Sequence, residues 1–354
     1  MNRRVLPVLL LSVALAPGTW LRSPIIDGFD KEITLRAVDE RGEKPPAGWA
    51  LEGVWEYEGE GRFFGGFSAL IALADGKLRA FSDRGARFTL VEPDRPQQPY
   101  LSGNRMRPPR LLGYQLVEKA YSRLLWDIES ATRDPETGQY WLGFEYTHGF
   151  HRFTRASEQD GVRVVADEVR WASNSGAEAM VRVRDGRFVV IPESGREVLV
   201  YPGDPVEGEA PQTGTYASPR SGFAITAMRE LPDGRLLLLL RAVSWTLPPF
   251  DARLAIADMP PPGEPVMLAP QIVLDLSAIA PRDNYEGLAL RERGDGTLDA
   301  WVISDDNFAM LQRTLLVKLR LDPTLLAPLA PPSLGEVASG AGQPATPARK
   351  KARE

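Results

Sequence analysis

The chain has 354 residues, 43% of them hydrophobic, with a formal charge of −5, two histidines and no cysteine. That composition excludes disulfides, thiol nucleophiles and cysteine-held zinc, and two histidines cannot build a histidine-rich metal site; any metal must take mainly oxygen ligands, as Ca²⁺ or Mg²⁺ does. Residues 1–16 carry two positive charges and residues 335–354 four positive and two negative, which leaves the core near −9 and argues against nucleic acid as a partner.

Read from its start, the chain shows Arg3 and Arg4, an apolar run from Val5 to Ala16, and the small-x-small pattern Ala14-Leu15-Ala16. This is the order of an export signal ending at residue 16, and the run is too short to span a bilayer comfortably. Pro17 is unfavourable beside the cut, so an uncleaved anchor reaching Leu21 is the alternative. Either way the expectation is an exported protein, periplasmic or extracellular, with no membrane contact beyond such an anchor. A folded domain is expected over 25–326, followed by a Pro- and Ala-rich basic tail, 327–354, without periodicity.

Ile33–Val38 and Leu51–Tyr57 read as strands. A short acidic phrase then recurs five times. Its copies are Gly66-Phe67-Ser68-Ala69-Leu70, Asp127-Ile128-Glu129-Ser130-Ala131, Gly176-Ala177-Glu178-Ala179-Met180, the degenerate Gly222-Phe223-Ala224-Ile225-Thr226, and Asn284-Tyr285-Glu286-Gly287-Leu288. With Ser68, Glu129, Glu178, Thr226 and Glu286 as equivalents, the spacings are 61, 49, 48 and 60 residues. Periods of this size mark a repeat architecture. Each copy leads to a turn (Asp75-Gly76, Thr137-Gly138, Asp185-Gly186, Asp233-Gly234, Asp295-Gly296) and a second apolar strand: Leu78–Ser82, Tyr140–Glu145, Phe188–Pro192, Leu236–Arg241 and Leu298–Ser304. Asx-Gly between strands is a strong hairpin signal because glycine tolerates positive φ. Third strands follow at Arg87–Glu92, His151–Thr154, Glu197–Tyr201, Arg253–Ala257 and Leu315–Leu321, with outer strands suggested at Val162–Val169 and Gln271–Leu276.

Three or four antiparallel strands per repeat, arranged radially, make a β-propeller blade, so the fold class expected is an all-β propeller of five or six blades. A sixth blade would come from the two termini or from segment 93–126; alternatively, the N-terminal strands pair with Leu315–Leu321 and close the ring. A β-sandwich is the other architecture, but it does not explain five similar hairpins.

Specific words accompany the repeats. Gly65-Gly66-Phe67-Ser68-Ala69-Leu70 with Phe81-Ser82-Asp83-Arg84-Gly85 resembles the opening motif of the "esterase-like activity of phytase" family. So do Asp127-Ile128-Glu129-Ser130-Ala131 with Trp141-Leu142-Gly143-Phe144-Glu145, and Asn174-Ser175-Gly176-Ala177-Glu178-Ala179-Met180. The most specific match is Asn284-Tyr285-Glu286-Gly287-Leu288, then Ser304-Asp305-Asp306-Asn307-Phe308 and Gln312-Arg313-Thr314. The resemblance covers about residues 60–322. It implies an exported bacterial protein with phosphoester hydrolysis on a phytase-like propeller. The chain departs from the pattern in Ser-Ala for Ser-Gly and in Glu-Ser or Glu-Ala for Glu-Gly, changes that keep the acids.

On a propeller, Glu129, Glu178 and Glu286 form one ring about the axis, with Asp127, Asn174 and Asn284 beside them. Asp83, Glu145, Glu193 and Asp305, ending second strands, share one face of the disc. Converging carboxylates repel unless a cation, a proton or an arginine neutralises them. A divalent cation, Ca²⁺ by preference, held by Glu129, Glu178, Glu286, Asp83, Asp305 and Asn307 is the expected solution. Glu129, Glu178, Glu286 and Arg84 are the candidate catalytic residues. Arg84, Arg87, His148, Asn174 and Asn284 are the candidate contacts to a small anionic substrate such as a phosphoester, since guanidinium matches phosphate geometry. Arg105, Arg107, Arg110 and Arg123, in the long segment 93–126, are weaker candidates. The bland reading of each acid is strand-end hydrogen bonding, and a non-catalytic binding propeller with a structural ion is the alternative function. No Gly-x-Ser-x-Gly elbow, P-loop, dinucleotide fingerprint or EF-hand loop occurs.

Overall fold

Every anticipated Asx-Gly or Thr-Gly turn closes a hairpin, and the five hairpins are arranged around one axis in a computed structural model. It describes residues 33–39, 42–59, 61, 63–95, 100–106, 127–165, 169, 171, 175–192, 196–309 and 312–329. The export signal, Arg107, Arg110, Arg123, Asn174, Glu193 and the tail beyond residue 329 lie outside them, as does the side chain of Arg105.

Two strands precede the first repeat, β1 (Ile33–Ala37) and β2 (Trp49–Gly59). Blade one holds β3 (Phe67–Leu73), β4 (Lys77–Ser82), β5 (Ala86–Val91) and β6 (Tyr100–Arg105); blade two holds β7 (Ile128–Arg133), β8 (Tyr140–Phe144), β9 (Gly149–Phe153) and β10 (Gln159–Val164). Blade three is β11 (Ala179–Arg182), β12 (Phe188–Ile191), β13 (Glu197–Tyr201) and β14 (Gln212–Tyr216). Blade four is β15 (Phe223–Glu230), β16 (Leu236–Val243), β17 (Phe250–Ala257) and β19 (Gln271–Asp275), reached through the two-residue β18 (Met267–Leu268), which pairs in parallel with β14. A single helical turn, α1 (Leu276–Ile279), capped by the Asp275 carboxylate, leads into blade five, β20 (Tyr285–Glu292), β21 (Leu298–Ser304) and β22 (Thr314–Leu321).

Blade five is completed by the other end of the chain. β2 pairs with β22, from Trp49 opposite Leu321 to Tyr57 opposite Thr314, and β1 pairs outside β2. The termini therefore close the ring rather than form a sixth blade. Residues 100–105, read as part of a long loop, are the outer strand of blade one. The outer strand of blade two lies at 159–164, earlier than the 162–169 expected, and 212–216 adds an unanticipated strand. The structure is thus a five-bladed β-propeller, neither six-bladed nor a sandwich.

Five apolar clusters hold it together, one between each pair of neighbouring blades. β16 shows the origin of this. Its run Leu236 to Leu240 is buried on both faces: Leu237 and Leu239 pack toward Leu288 and Val302 of blade five, while Leu236, Leu238 and Leu240 pack toward Val189 and Ile191 of blade three. Alternate side chains leave opposite faces of a strand, so a strand sandwiched between sheets reads as continuous apolar sequence. Each such leucine contributes about 1.5–3 kcal/mol on burial.

Candidate functional site

The inner strands β3, β7, β11, β15 and β20 neighbour one another around the axis, each touching the next and β20 touching β3. They all begin at one face of the disc, where the second strands end. On that mouth two features recur.

The first is a β-bulge. Pairing between the first two strands of a blade skips Ser68, Glu129, Thr226 and Glu286 in blades one, two, four and five. In blade three Glu178 stands immediately before the first paired residue, Ala179. These are the five positions the sequence repeat aligned. A bulge leaves one residue outside the ladder and re-aims its side chain. Hydroxyls fasten neighbouring inner strands at this level. Ser68 Oγ donates to the Ile128 carbonyl, Ser130 Oγ to that of Ala177, and Thr226 Oγ1 to that of Tyr285 at 3.3 Å.

The second feature is a backbone latch. The residue following the second strand donates its N–H to the carbonyl two residues before the bulge: Asp83 to Gly66 at 2.9 Å, Glu145 to Asp127 at 2.9 Å, and Asp305 to Asn284 at 2.8 Å. The latch places an acid beside the bulge residue in blades one, two and five. Asp127 is held at φ 57, its N–H donating to the Asp83 carbonyl at 2.6 Å, which ties blades one and two. His148, Asn307 and Phe308 also have positive φ on this mouth, and non-glycine residues in that region concentrate where structure serves function. At Gly65 and Gly66, with φ 100 and 59, a Cβ would strike the Asp306 carboxylate and the Phe308 ring, so only glycine fits under the blade-five loop.

Burial and mutual repulsion change these acids. Burial lifts Asp83 from 3.8 to about 7, opposed by Arg84 and reinforced by Asp127, Glu286 and Asp306. Glu129 is held well above the carboxylate range by burial and by Glu178, Glu286, Glu145 and Asp127. Asp305 is raised in the same way, by burial and then by Glu286, Asp83 and Asp306. Burial also raises Asp127 and Asp306, and takes Asp283 to about 6. The mouth thus brings Glu129, Glu178, Glu286, Asp83 and Asp305 into one electrostatic cluster, in which acidic groups outnumber basic ones among the described residues.

Arginines meet part of that charge. Arg241, which the sequence reading passed over, reaches from β16 into blade five, where Nη1 donates to Glu286 and, at 2.7 Å, to Asn284 Oδ1. Asn284 Nδ2 donates to Glu286 Oε1 at 3.0 Å. A lone arginine ending a five-leucine run was the available signal. Arg84 lies over the Phe308 ring beside Asp83. Asp306, also passed over, accepts from the backbone of Gly66 and Phe308, each at 2.9 Å, and from Thr314. Below the ring, Arg229 crosses the axis to the Leu70 carbonyl and donates to that of Met228 at 2.7 Å; burial lowers it to about 10. Arg229 and Glu129 both line a narrow axial cavity.

Other expected contacts are engaged differently. Arg87 leaves the outer half of blade one and donates to Tyr140 Oη at 3.3 Å and the Ser157 carbonyl at 3.2 Å, bridging blades one and two away from the acids. The reason is its place on β5, a third strand. Asn307 holds Asp305 through its N–H, but its amide side chain is turned to Gln312 Oε1 at 2.8 Å. His148 sits in the β8–β9 turn on the mouth, its ring 5.8 Å from Trp171. His151 is buried against Phe144, and burial pushes it down to about 4.

Whether the mouth suits a hard cation follows from its donors. Among the described residues they are almost all carboxylate and amide oxygens, the donors such an ion takes. Among the described residues, no three His, Cys, Asp or Glu side chains stand together as a ready ligand set. The donor chemistry fits such an ion, and Glu129, Glu178, Glu286, Asp83 and Asp305 are the residues that would hold it.

A family model described as Phytase-like, esterase-like activity of phytase, matches residues 62–308, well over half the chain, and the chain belongs to that family. No curated protein sequence matches it. One similar solved chain is described as "Structure of U3-55K", at 10% identity over 78% of this chain and 86% of that one, with a TM-score of 0.36; a likeness at that level carries no argument. The family supports a hydrolase-like propeller.

Proposed function

We propose that the mouth is the active site of an exported hydrolase acting on phosphoesters with a divalent cation, Ca²⁺ by preference. The observation that carries this is the repeat itself: bulge and latch place carboxylates from three blades at one opening, and burial and repulsion raise several of them. A mouth so acidic repels a phosphate unless a cation bridges the two, so substrate and ion belong to one reading. Glu129, Glu178, Glu286, Asp83 and Asp305 would hold the ion, which would polarise the phosphoryl oxygens. Arg84 orients a phosphate oxygen from the Asp83 side. The leaving alcohol oxygen takes up a proton that the attacking water gives up. Water adds to phosphorus, the ester P–O bond breaks, and alcohol and phosphate leave.

A second reading, a non-catalytic ligand-binding propeller, draws on the engagement of Glu286 by Arg241 and Asn284, and of Asp305 and Asp306 by backbone N–H groups. Glu286→Gln separates the two readings, because glutamine keeps the bond from Arg241 but not the charge. Under the enzyme reading the variant stays folded by circular dichroism, binds no Ca²⁺ by calorimetry, and loses phosphate release. Undiminished turnover in that variant refutes it, and no phosphate release by the Ca²⁺-loaded wild type favours the binding propeller.

A further inference from the structure

The β16–β17 hairpin of blade four rises from the mouth and ends in the most exposed apolar side chains among the described residues. Val243 is 78% exposed, Leu247 89% and Trp245 108%. Large apolar groups in full contact with water are normal singly, but three within five residues at one tip are not. The tip is also built rather than slack. Ser244 N–H donates to the Pro249 carbonyl at 2.9 Å, the Ser244 and Thr246 hydroxyls share a hydrogen bond at 2.6 Å, and Thr246 Oγ1 donates to the Pro248 carbonyl at 2.7 Å. Tryptophan held outward on such a loop presents a large contact area at little cost in side-chain entropy.

Its position ties it to the acids. On β16 the odd-numbered residues face blade five, as Leu237 and Leu239 do, and Arg241 follows them to Glu286 and Asn284. Val243 continues that face, and Trp245 stands four residues beyond Arg241, at most about 13 Å along an extended chain. The apolar tip is therefore an extension of the same strand that supplies the arginine of the site. An anionic lipid surface suits it poorly, because the carboxylates beside it would be pressed against like charge. A second copy docked tip to tip would bring two acidic mouths together, with the same penalty.

We propose that Val243, Trp245 and Leu247 form the apolar wall of the substrate site, and that the preferred substrates are anionic esters whose leaving group is aromatic or otherwise apolar. This rests on the hydrolase reading above and narrows its substrate class. Trp245 and Leu247 are specificity residues: they hold the organic part while the mouth holds the anionic part.

The test compares wild type with Trp245→Ala/Leu247→Ala on 2-naphthyl phosphate and glycerol 2-phosphate, with Ca²⁺ present. Removing apolar contacts of this size is expected to lower kcat/KM for the naphthyl ester by about tenfold or more while leaving the glycerol ester unchanged. The thermal midpoint should not move, because both side chains lie outside the core. Equal change in both substrates, or in neither, overturns the wall. If the wild type cleaves neither ester, the phosphoester reading fails, and the wall is decided by calorimetric binding of 2-naphthol. Binding by wild type that the double variant loses upholds it, and no binding by wild type overturns it.

Discussion

Asp83→Asn gives the sharpest measure of how the mouth is built. Moving the Asp83 carboxyl from 3.8 to about 7 costs the folded state about 4 kcal/mol once the group is ionised, at about 1.4 kcal/mol per pH decade. The sign is opposite to that of a salt-bridged aspartate. The native state binds the proton more tightly than the unfolded chain, so this contribution is whole below the unfolded value of 3.8 and is lost as pH climbs through about 7. Asparagine removes the ionisation and leaves the backbone latch to Gly66 in place. We expect urea denaturation in chelator to show the variant more stable than wild type by about 2–4 kcal/mol at pH 8, and the two to converge only below about pH 4. The expectation falls short of the full figure because Asp305 and Glu129 share the same field and can take up protons in its stead. Saturating Ca²⁺ should shrink the gap at pH 8 by stabilising the ionised cluster. Parallel curves across the pH range would refute the reasoning: Asp83 would then be an ordinarily solvated carboxylate.

Three further outcomes follow from single contacts. Arg241→Met strands Glu286 and Asn284 without their cation and should destabilise by about 3 kcal/mol at neutral pH, read by chemical denaturation. Ser68→Ala deprives the buried Ile128 carbonyl of its hydroxyl partner and should cost about 1 kcal/mol, with a small drop in thermal midpoint. Lys318 sits 2.6 Å from Asp94, 3.3 Å from Glu52 and 3.5 Å from Asp299, and joins blade one to the closing strands. Lys318→Met should lower stability by about 1–2 kcal/mol, with high salt restoring the part owed to the exposed Asp94 but not the part owed to the buried Asp299.

Much of this molecule was readable along the chain. Repeating hairpins with Asx-Gly turns determine the propeller, because a turn of fixed chemistry and an apolar strand of fixed length are local properties. Two N-terminal strands without a repeat of their own were legible, with closing the ring and forming a sixth blade both open to them. The alignment of Ser68, Glu129, Glu178, Thr226 and Glu286 was legible too, and so was the acidic character of the mouth. The blade count was not, since assigning 33–59 to the fifth copy and 100–105 to the first depends on strand pairing across hundreds of residues.

The tertiary structure alone decided which residues meet. Arg241 and Glu286 are 45 positions apart, and only the packing of blade four on blade five makes them partners. Arg87 and Arg84 are three positions apart, but one lies on a third strand and the other on the mouth, so only Arg84 joins the site. The bulge that turns the ring glutamates out of the ladder is a property of pairing, absent from any one strand's sequence. The raised carboxylates arise the same way: each acid is ordinary in isolation, and only enclosure among the others, away from water, makes its charge costly.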